Sequence, residues 1–233
     1  PNGRLKITQL GGYTWNSIEG EGCTIFTLEG KAYRGSILID AASGHVYGKK
    51  ASETPRDEEH MELRLDERVT NADQTRALGI QVGDFIAFDP RVEIHNGFVR
   101  SRHLDDKAGV ACMLAAARAL TKSGRNPEQR TYFFFSNYEE VGHGAVTGFP
   151  AGTTEMVVVD MAAVGEGQAS DEFHATLCVK DSGGPYDHAL STRLRRLAEQ
   201  HEIPHKVDIY PNYASDGTAL WRSGADLRVA LIG

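Results

Sequence analysis

The sequence predicts an α/β protein in which a small β-rich module precedes a domain of sheet and helices. Two observations carry this. From about residue 91 onward, helical periodicities alternate with short, nearly all-apolar runs, the pattern of a sheet with helices packed on it. Residues 1–90 instead hold many glycines and short strand-like runs separated by turn signals. A third observation concerns chemistry: acidic residues, some of them paired, follow the apolar runs one after another.

In the first part, "RLKITQLGG" alternates, with Leu5 and Ile7 on one face and Lys6 and Thr8 on the other. "CTIFTL" and "RGSILIDA" read as strands separated by the turn signal "EGKAYRG". "KKASETPRDEEHMELRLDE" is dense in charge and contains Pro55, so it reads as an exposed connection whose charges form a solvated face. "NADQTRALGI" predicts a short helix, with Asn71 or Thr70 as its cap and Gly79 as its stop. "GDFIAFDP" closes the module as a strand.

The second part, residues 91–233, opens on "DDKAGVACMLAAARALTKSG". This predicts a helix with Val110, Leu114, Ala117 and Leu120 recurring at helical spacing and Gly124 at its end. "RTYFFFSN" and "MVVVDMA" read as strands buried on both faces. "YDHALSTRLRRLAEQHEI" predicts an amphipathic helix with Leu190, Leu194, Leu197 and Ala198 inward, and "HKVDIYP" and "LRVALIG" add strands.

The chain has 233 residues, enough to bury a sizeable core in one large domain or two small ones. A net charge of −7 argues against a nucleic-acid partner, which demands a basic footprint. Apolar runs stay well short of the ~20 residues of a membrane span. No signal peptide is visible. Three cysteines, Cys23, Cys112 and Cys178, show no metal-type spacing and read as reduced thiols of a cytoplasmic protein.

Ligands of open α/β sheets sit at the carboxyl ends of strands. "TYFFFSN" runs into Glu139 and Glu140, "EMVVVD" ends in Asp160, and "HKVDIYP" leads to "NYASDG" with Asp216; Asp105 and Asp106 open the first long helix. Carboxylates crowded in an apolar pocket cannot all ionise without a cation. Divalent metals are the natural counter-charge. Two metals need a bridging carboxylate, further ligands for each ion, and a base for the bound water. Taken singly, each feature has a plainer reading. Asp105–Asp106 would be a helix cap and first-turn pair, Glu139–Glu140 a surface turn, and Asp160 a loop residue. It is their order along the chain, beside the glycines of "DDKAG" and "EEVGHGA", that favours the metal site. His103 and His143 lie beside the motifs as possible supporting or substrate-contacting groups; the other histidines have no ligand-like spacing.

As an ordered set, "SRHLDDKAGVA", "NYEEVGHGA", "VVVDMAAVG", "KDSGGPYDHAL" and "YASDGTAL" resemble the dinuclear metallo-aminopeptidases that include the tetrahedral and glutamyl aminopeptidases. Some members of that family carry an old description as cellulases or endoglucanases. The resemblance covers essentially the whole chain. It implies a partial, mixed-sheet aminopeptidase-like catalytic domain at 91–233 and an inserted PDZ-like oligomerisation domain at 1–90. It also implies peptide substrates, a dodecameric homo-oligomer, and two divalent ions, zinc or cobalt foremost. Carried over, Asp105 bridges the ions and Asp106 braces it across a strained Asp–Asp peptide. Glu139 is the general base, Glu140 and Asp160 are ligands of one ion each, and Asp216 lines the substrate pocket, although "SDG" varies the family's pattern. The family's two histidine ligands would lie before Pro1 and after Gly233. The chain is therefore expected to be a fragment that binds metal weakly and has little activity. The rival readings are a non-catalytic assembly module, another two-metal hydrolase such as a carboxypeptidase or deacylase, and a glycoside hydrolase, which needs two carboxylates and no metal.

Overall fold

The computed structural model describes residues 2–233, which divide into two compact units, the second of them beginning at His103. In the first unit the chain forms β1 (Leu5–Lys6), β2 (Gly22–Phe26), β3 (Ala32–Ile39), α1 (Gly44–Tyr47), α2 (Lys49–Glu53), β4 (Met61–Leu65), α3 (Ala72–Ala77), β5 (Phe85–Phe88), β6 (Glu93–His95) and β7 (Phe98–Arg100). Five of these strands make an antiparallel sheet in the order β1-β4-β3-β2-β5, and β6 and β7 pair with each other as a hairpin. The core lies on one sheet face, where Ile25, Ile37, Met61 and Leu63 are fully buried together with Ile18 and Cys23.

The "KKASETPRDEEHMELRLDE" stretch departs from the expected exposed connection. It contains α2, and "MELRL" is β4, an interior strand between β1 and β3. The period-two alternation of Met61, Leu63 and Leu65 was hidden by the charges around it. Glu62, on the opposite strand face, is itself buried and pairs with Arg4. The short helix α3 is as predicted: the Asn71 side chain accepts from the Gln74 amide at 3.0 Å, and Gly79 follows with φ +91°. Residues 90–102 stay with the first unit: Arg91 and Arg102 both pair with Glu21, and the Arg102 guanidinium donates to the Ser17 carbonyl.

The second unit contains α4 (Leu104–Ser123), β8 (Glu155–Val159), β9 (Ala175–Asp181), β10 (Gly184–Pro185), α5 (His188–Gln200), β11 (His205–Ile209), α6 (Asp216–Arg222) and β12 (Arg228–Ile232). Its sheet is mixed. β12 runs parallel to β8, β11 parallel to β9, and β12 antiparallel to β9. β9, "ATLCVKD", has no counterpart in the predicted elements, yet it pairs with β10, β11 and β12. Val158, Cys178, Tyr186, Tyr210, Leu220, Val229 and Leu231 form the core.

Several expectations fail in this unit. Residues 131–136 form no strand, because none of the described strands pairs with them; Tyr132 and Phe135 are exposed. Helix α4 forms and stops at Gly124 with φ +66°, but Gly109 is its one buried residue, and Leu114, expected inward, is 55% exposed. On α5, Leu190 is buried as expected and Leu197 is exposed. Among the described residues no helix is long and apolar enough to cross a membrane. All three cysteines are free thiols, with Cys23 and Cys178 buried and Cys112 exposed.

The packing of β3 on β4 leaves no room above Gly35. A Cβ there would lie 2.6 Å from the Arg64 carbonyl and 2.8 Å from a Leu63 methyl. Gly35→Ala should therefore cost about 1–3 kcal/mol, despite alanine's better strand propensity. Urea unfolding followed through Trp15 fluorescence reads this out; an unchanged midpoint would contradict the packing.

Candidate functional site

The "HLDDKAG" segment folds differently from a simple helix start. His103 is left-handed (φ 63°), Asp105 and Asp106 have non-helical backbone angles inside the α4 span, and the peptide bond joining the two aspartates is cis. Asp106 Oδ1 accepts the Gly109 amide at 3.0 Å, so this carboxylate caps the regular part of the helix three residues ahead of it. Gly109 makes the seat possible: a Cβ there would lie 2.4 Å from Asp106 Oδ2.

Glu139 and Glu140 begin a single 3-10 turn entered through Tyr138 in the left-handed region (φ 65°) and left through Gly142 (φ 84°). Asp160 follows the carboxyl end of β8. Its Oδ1 accepts the Met161 amide at 2.7 Å, and the Tyr213 hydroxyl donates to its Oδ2. Asp216 opens α6 behind the Ser215 cap and is buried. The Ser136 hydroxyl donates to its Oδ2 at 2.5 Å, and its carboxylate lies against Gly144, where a Cβ would meet it at 2.5 Å.

These acidic residues share one electrostatic environment. Burial, the largest cause, raises the proton affinity of Asp105, and Glu140 adds to it. Burial pushes Asp106 up to about 6, opposed by the Gly109 amide and reinforced by Asp160, Asp105 and Glu140. Glu139 is pushed up to about 7 by burial, then by the charges of Asp160, Asp216, Glu140 and Asp105. Asp160 is raised by burial against the lowering effect of the Tyr213 hydroxyl. The ion pairs of this unit, such as Glu155 with Arg193 and Arg228, involve none of the six.

The sequence-predicted carboxylates act on one another's charge, but they do not line one carboxyl edge. β8 and β11 run in opposite directions in the mixed sheet, so Asp216 reaches the cluster through the 211–215 loop and α6 rather than from a shared strand end. Close packing of Gly217, whose Cβ would lie 2.5 Å from Val229 Cγ1, brings α6 onto the sheet. His103 is exposed at the head of α4. His143 stacks on Tyr138 with ring centroids 5.1 Å apart, and both are exposed. Sequence reasoning missed Tyr213 and Ser136. Tyr213 could have been noticed, since it lies three residues before Asp216 in "NYASDG"; Ser136 carried no signal.

The carboxylate donors suit a hard divalent cation. Among the described residues, however, no group of three or more His, Cys, Asp or Glu is gathered closely enough to hold an ion. The donor chemistry fits a metal, and the number of donors in reach does not close a coordination set.

Fold and site together define an α/β protein of the aminopeptidase type. The chain belongs to the M42 glutamyl aminopeptidase family, which matches residues 1–233. It is 49% identical over 233 residues to YhfE of Bacillus subtilis (strain 168), which has a provisional description as an aminopeptidase; the match covers 100% of this chain and 67% of that protein. Its fold is similar to a TET aminopeptidase from the marine sediment archaeon Thaumarchaeota archaeon SCGC AB-539-E09, with a TM-score of 0.84, 19% identity, and coverage of 99% of this chain and 66% of that one. It is also similar to the Pyrococcus horikoshii TET1 peptidase, which can assemble into a tetrahedron or a large octahedral shell, with a TM-score of 0.79, 18% identity, and coverage of 99% and 68%. The chain spans about two thirds of the length of these relatives.

The clustered carboxylates set a sign for pH dependence without metal. Glu139 starts from 4.5 in the unfolded chain and is raised to about 7 in the folded one, so the folded state binds more protons between those values. Stability is then greatest below the lower value and declines as pH rises through the window. In chelator, Glu139→Gln should raise the melting temperature at pH 8 and leave it unchanged at pH 4. Melting curves at the two pH values check this; equal effects at both would remove the buried-charge account.

Proposed function

We propose that this chain carries the carboxylate half of the active site of a metal-dependent aminopeptidase that removes the amino-terminal residue of peptides. The supporting observation is the position of Glu139, pushed up to about 7 by burial and four surrounding carboxylates, in a chain of the M42 family. Asp105, Glu140 and Asp160 would hold two divalent ions, zinc or cobalt, with Asp105 shared between them. Such ions, when bound, polarise a carbonyl and make a shared water more acidic. Glu139 takes the proton of the attacking water and returns it to the leaving amine. Asp106, tied to Gly109, fixes the helix head from which Asp105 projects. Asp216 closes the far side of the cluster and faces the substrate.

With fewer than three donors gathered in the described residues, the 233-residue chain alone should hold metal weakly and hydrolyse slowly. Elemental analysis after dialysis against zinc or cobalt should give less than one ion per chain. Hydrolysis of a panel of aminoacyl p-nitroanilides should be slow, abolished by chelator, and reduced by about 10²–10⁴-fold in Glu139→Gln. That variant should leave metal content unchanged. A chelator-resistant rate, or a Glu139→Gln rate equal to wild type, would overturn the reading.

The first unit serves self-association on the same proposal, as a PDZ-like domain. Its edge strand β5 exposes Phe85 (62%) beside its register partner Phe26 (48%), with Leu28 and Val82 also exposed. Phe85→Lys should lower the mass measured by light scattering at matched concentration. An unchanged mass would place the contact elsewhere.

A further inference from the structure

The "KDSGG" turn forms a buried polar network that the proposed mechanism leaves unused. Asp181, the last residue of β9, is fully buried. Its Oδ1 accepts the Gly183 amide at 2.7 Å, and its Oδ2 accepts the Tyr186 hydroxyl at 2.8 Å and the Thr218 hydroxyl. The Tyr186 oxygen also lies 2.6 Å from Ser215 Oγ, which accepts the Gly217 amide at 3.1 Å. The Ser182 amide donates to the Tyr213 carbonyl at 2.9 Å. Glycine is required for this closeness, since a Cβ on Gly183 would lie 2.4 Å from Thr218 Cγ2.

The residues tied down bracket those in the site. Ser215 and Thr218 flank Asp216, and the Ser182 bond grips the backbone of Tyr213, whose hydroxyl holds Asp160. A buried carboxylate satisfied by three donors is rigid and costly to break. We propose that Asp181 is a positioning residue: through Tyr186, Ser215 and Thr218 it sets the 213–218 loop so that the Tyr213 hydroxyl stays on Asp160 and the Asp216 carboxylate stays against Ser136. It touches neither substrate nor reacting atoms. Its consequence for turnover rests on the aminopeptidase reading; its consequence for Tyr213 does not.

The test is Asp181→Asn in the 233-residue chain labelled with ¹³C at tyrosine Cζ, with the Tyr213 signal assigned by its loss in Tyr213→Phe. Deuterium isotope splitting at Cζ reports hydroxyl exchange. In Asp181→Asn the Tyr213 hydroxyl should exchange at least about ten-fold faster, as expected when a local hydrogen bond opens more often. Tyr186→Phe, which removes the Tyr186 bonds to Asp181 and Ser215 but leaves the Thr218 hydroxyl and Gly183 amide on Asp181, should give a smaller effect in the same direction; this arm holds even where Asp181→Asn fails to fold. Leu190→Ala, a core truncation on α5, should lower the melting temperature without changing Tyr213 exchange. If Asp181→Asn or Tyr186→Phe merely lowers the melting temperature as Leu190→Ala does, with Tyr213 exchange unchanged, the proposal is wrong. Where metal-dependent hydrolysis is measurable, kcat should fall about ten-fold with KM held, as misplaced site groups produce. A chelator-resistant hydrolysis rate in a chain whose Tyr213 exchange still responds to Asp181 would refute the function and leave the positioning role standing.

Discussion

Crowding of like charge is the constraint on which the second unit depends, with Asp160 and Asp216 buried and Asp106 and Glu139 half-buried. Asp105, Asp106, Glu139 and Asp160 have their proton affinity raised by burial and by the neighbouring carboxylates, Glu140 and Asp216 among them. Buried charge of one sign is tolerated only when each group is tethered or when a cation joins it. The tethers are local and short: the Gly109 amide on Asp106, the Met161 amide and Tyr213 hydroxyl on Asp160, and the Ser136 hydroxyl on Asp216. Two of these carboxylates require a neighbour without bulk: Gly109 and Gly144 sit where a methyl group would strike Asp106 and Asp216.

The legibility of the sequence followed the strength of its local signals. The long helix α4, the capped helix α3 and the strands "MVVV" and "RVALI" were readable because periodicity, caps and apolar runs agreed. β4 was not, because its alternating Met61, Leu63 and Leu65 sit among Glu62, Arg64 and a charged approach, and composition outweighed period. β9 was not readable for a different reason: its apolar run Leu177–Val179 is only three residues long, bounded by Thr176 and Lys180. Four of the six acidic residues were readable as pairs beside glycines, and Asp160 and Asp216 as single residues following apolar runs. Their path into one cluster was not, since strand direction in a mixed sheet depends on pairing that no single segment encodes.

The failure at 131–136 and on α4 has one physical source. An apolar run becomes a buried strand only when neighbours complete its ladder, and an apolar helix stripe is buried only when something lies on it. Phe133 and Phe135 are exposed, as are Val110 and Leu114 on α4. The sequence patterns therefore specify burial that the described residues do not themselves provide. Periodicity reports what a segment is suited to, and tertiary contacts decide whether it is used.

The carboxylates also differ in a way that separates their proposed roles. Asp106 and Asp160 each accept a backbone amide that favours the charged form, and Asp160 accepts the Tyr213 hydroxyl as well. Glu139 has no such bond among the causes acting on it, and it is raised to about 7. Of the proposed ligands Asp160 is the one drawn toward its charged form in this way, as a cation-binding group gains from being; a group meant to accept and return a proton gains from an affinity near neutrality. A cation among the other carboxylates would offset their charge and draw Glu139 downward. The part of its shift caused by burial is the largest and does not depend on those charges. Burial, rather than repulsion, is therefore what can keep Glu139 basic once the surrounding charge is neutralised.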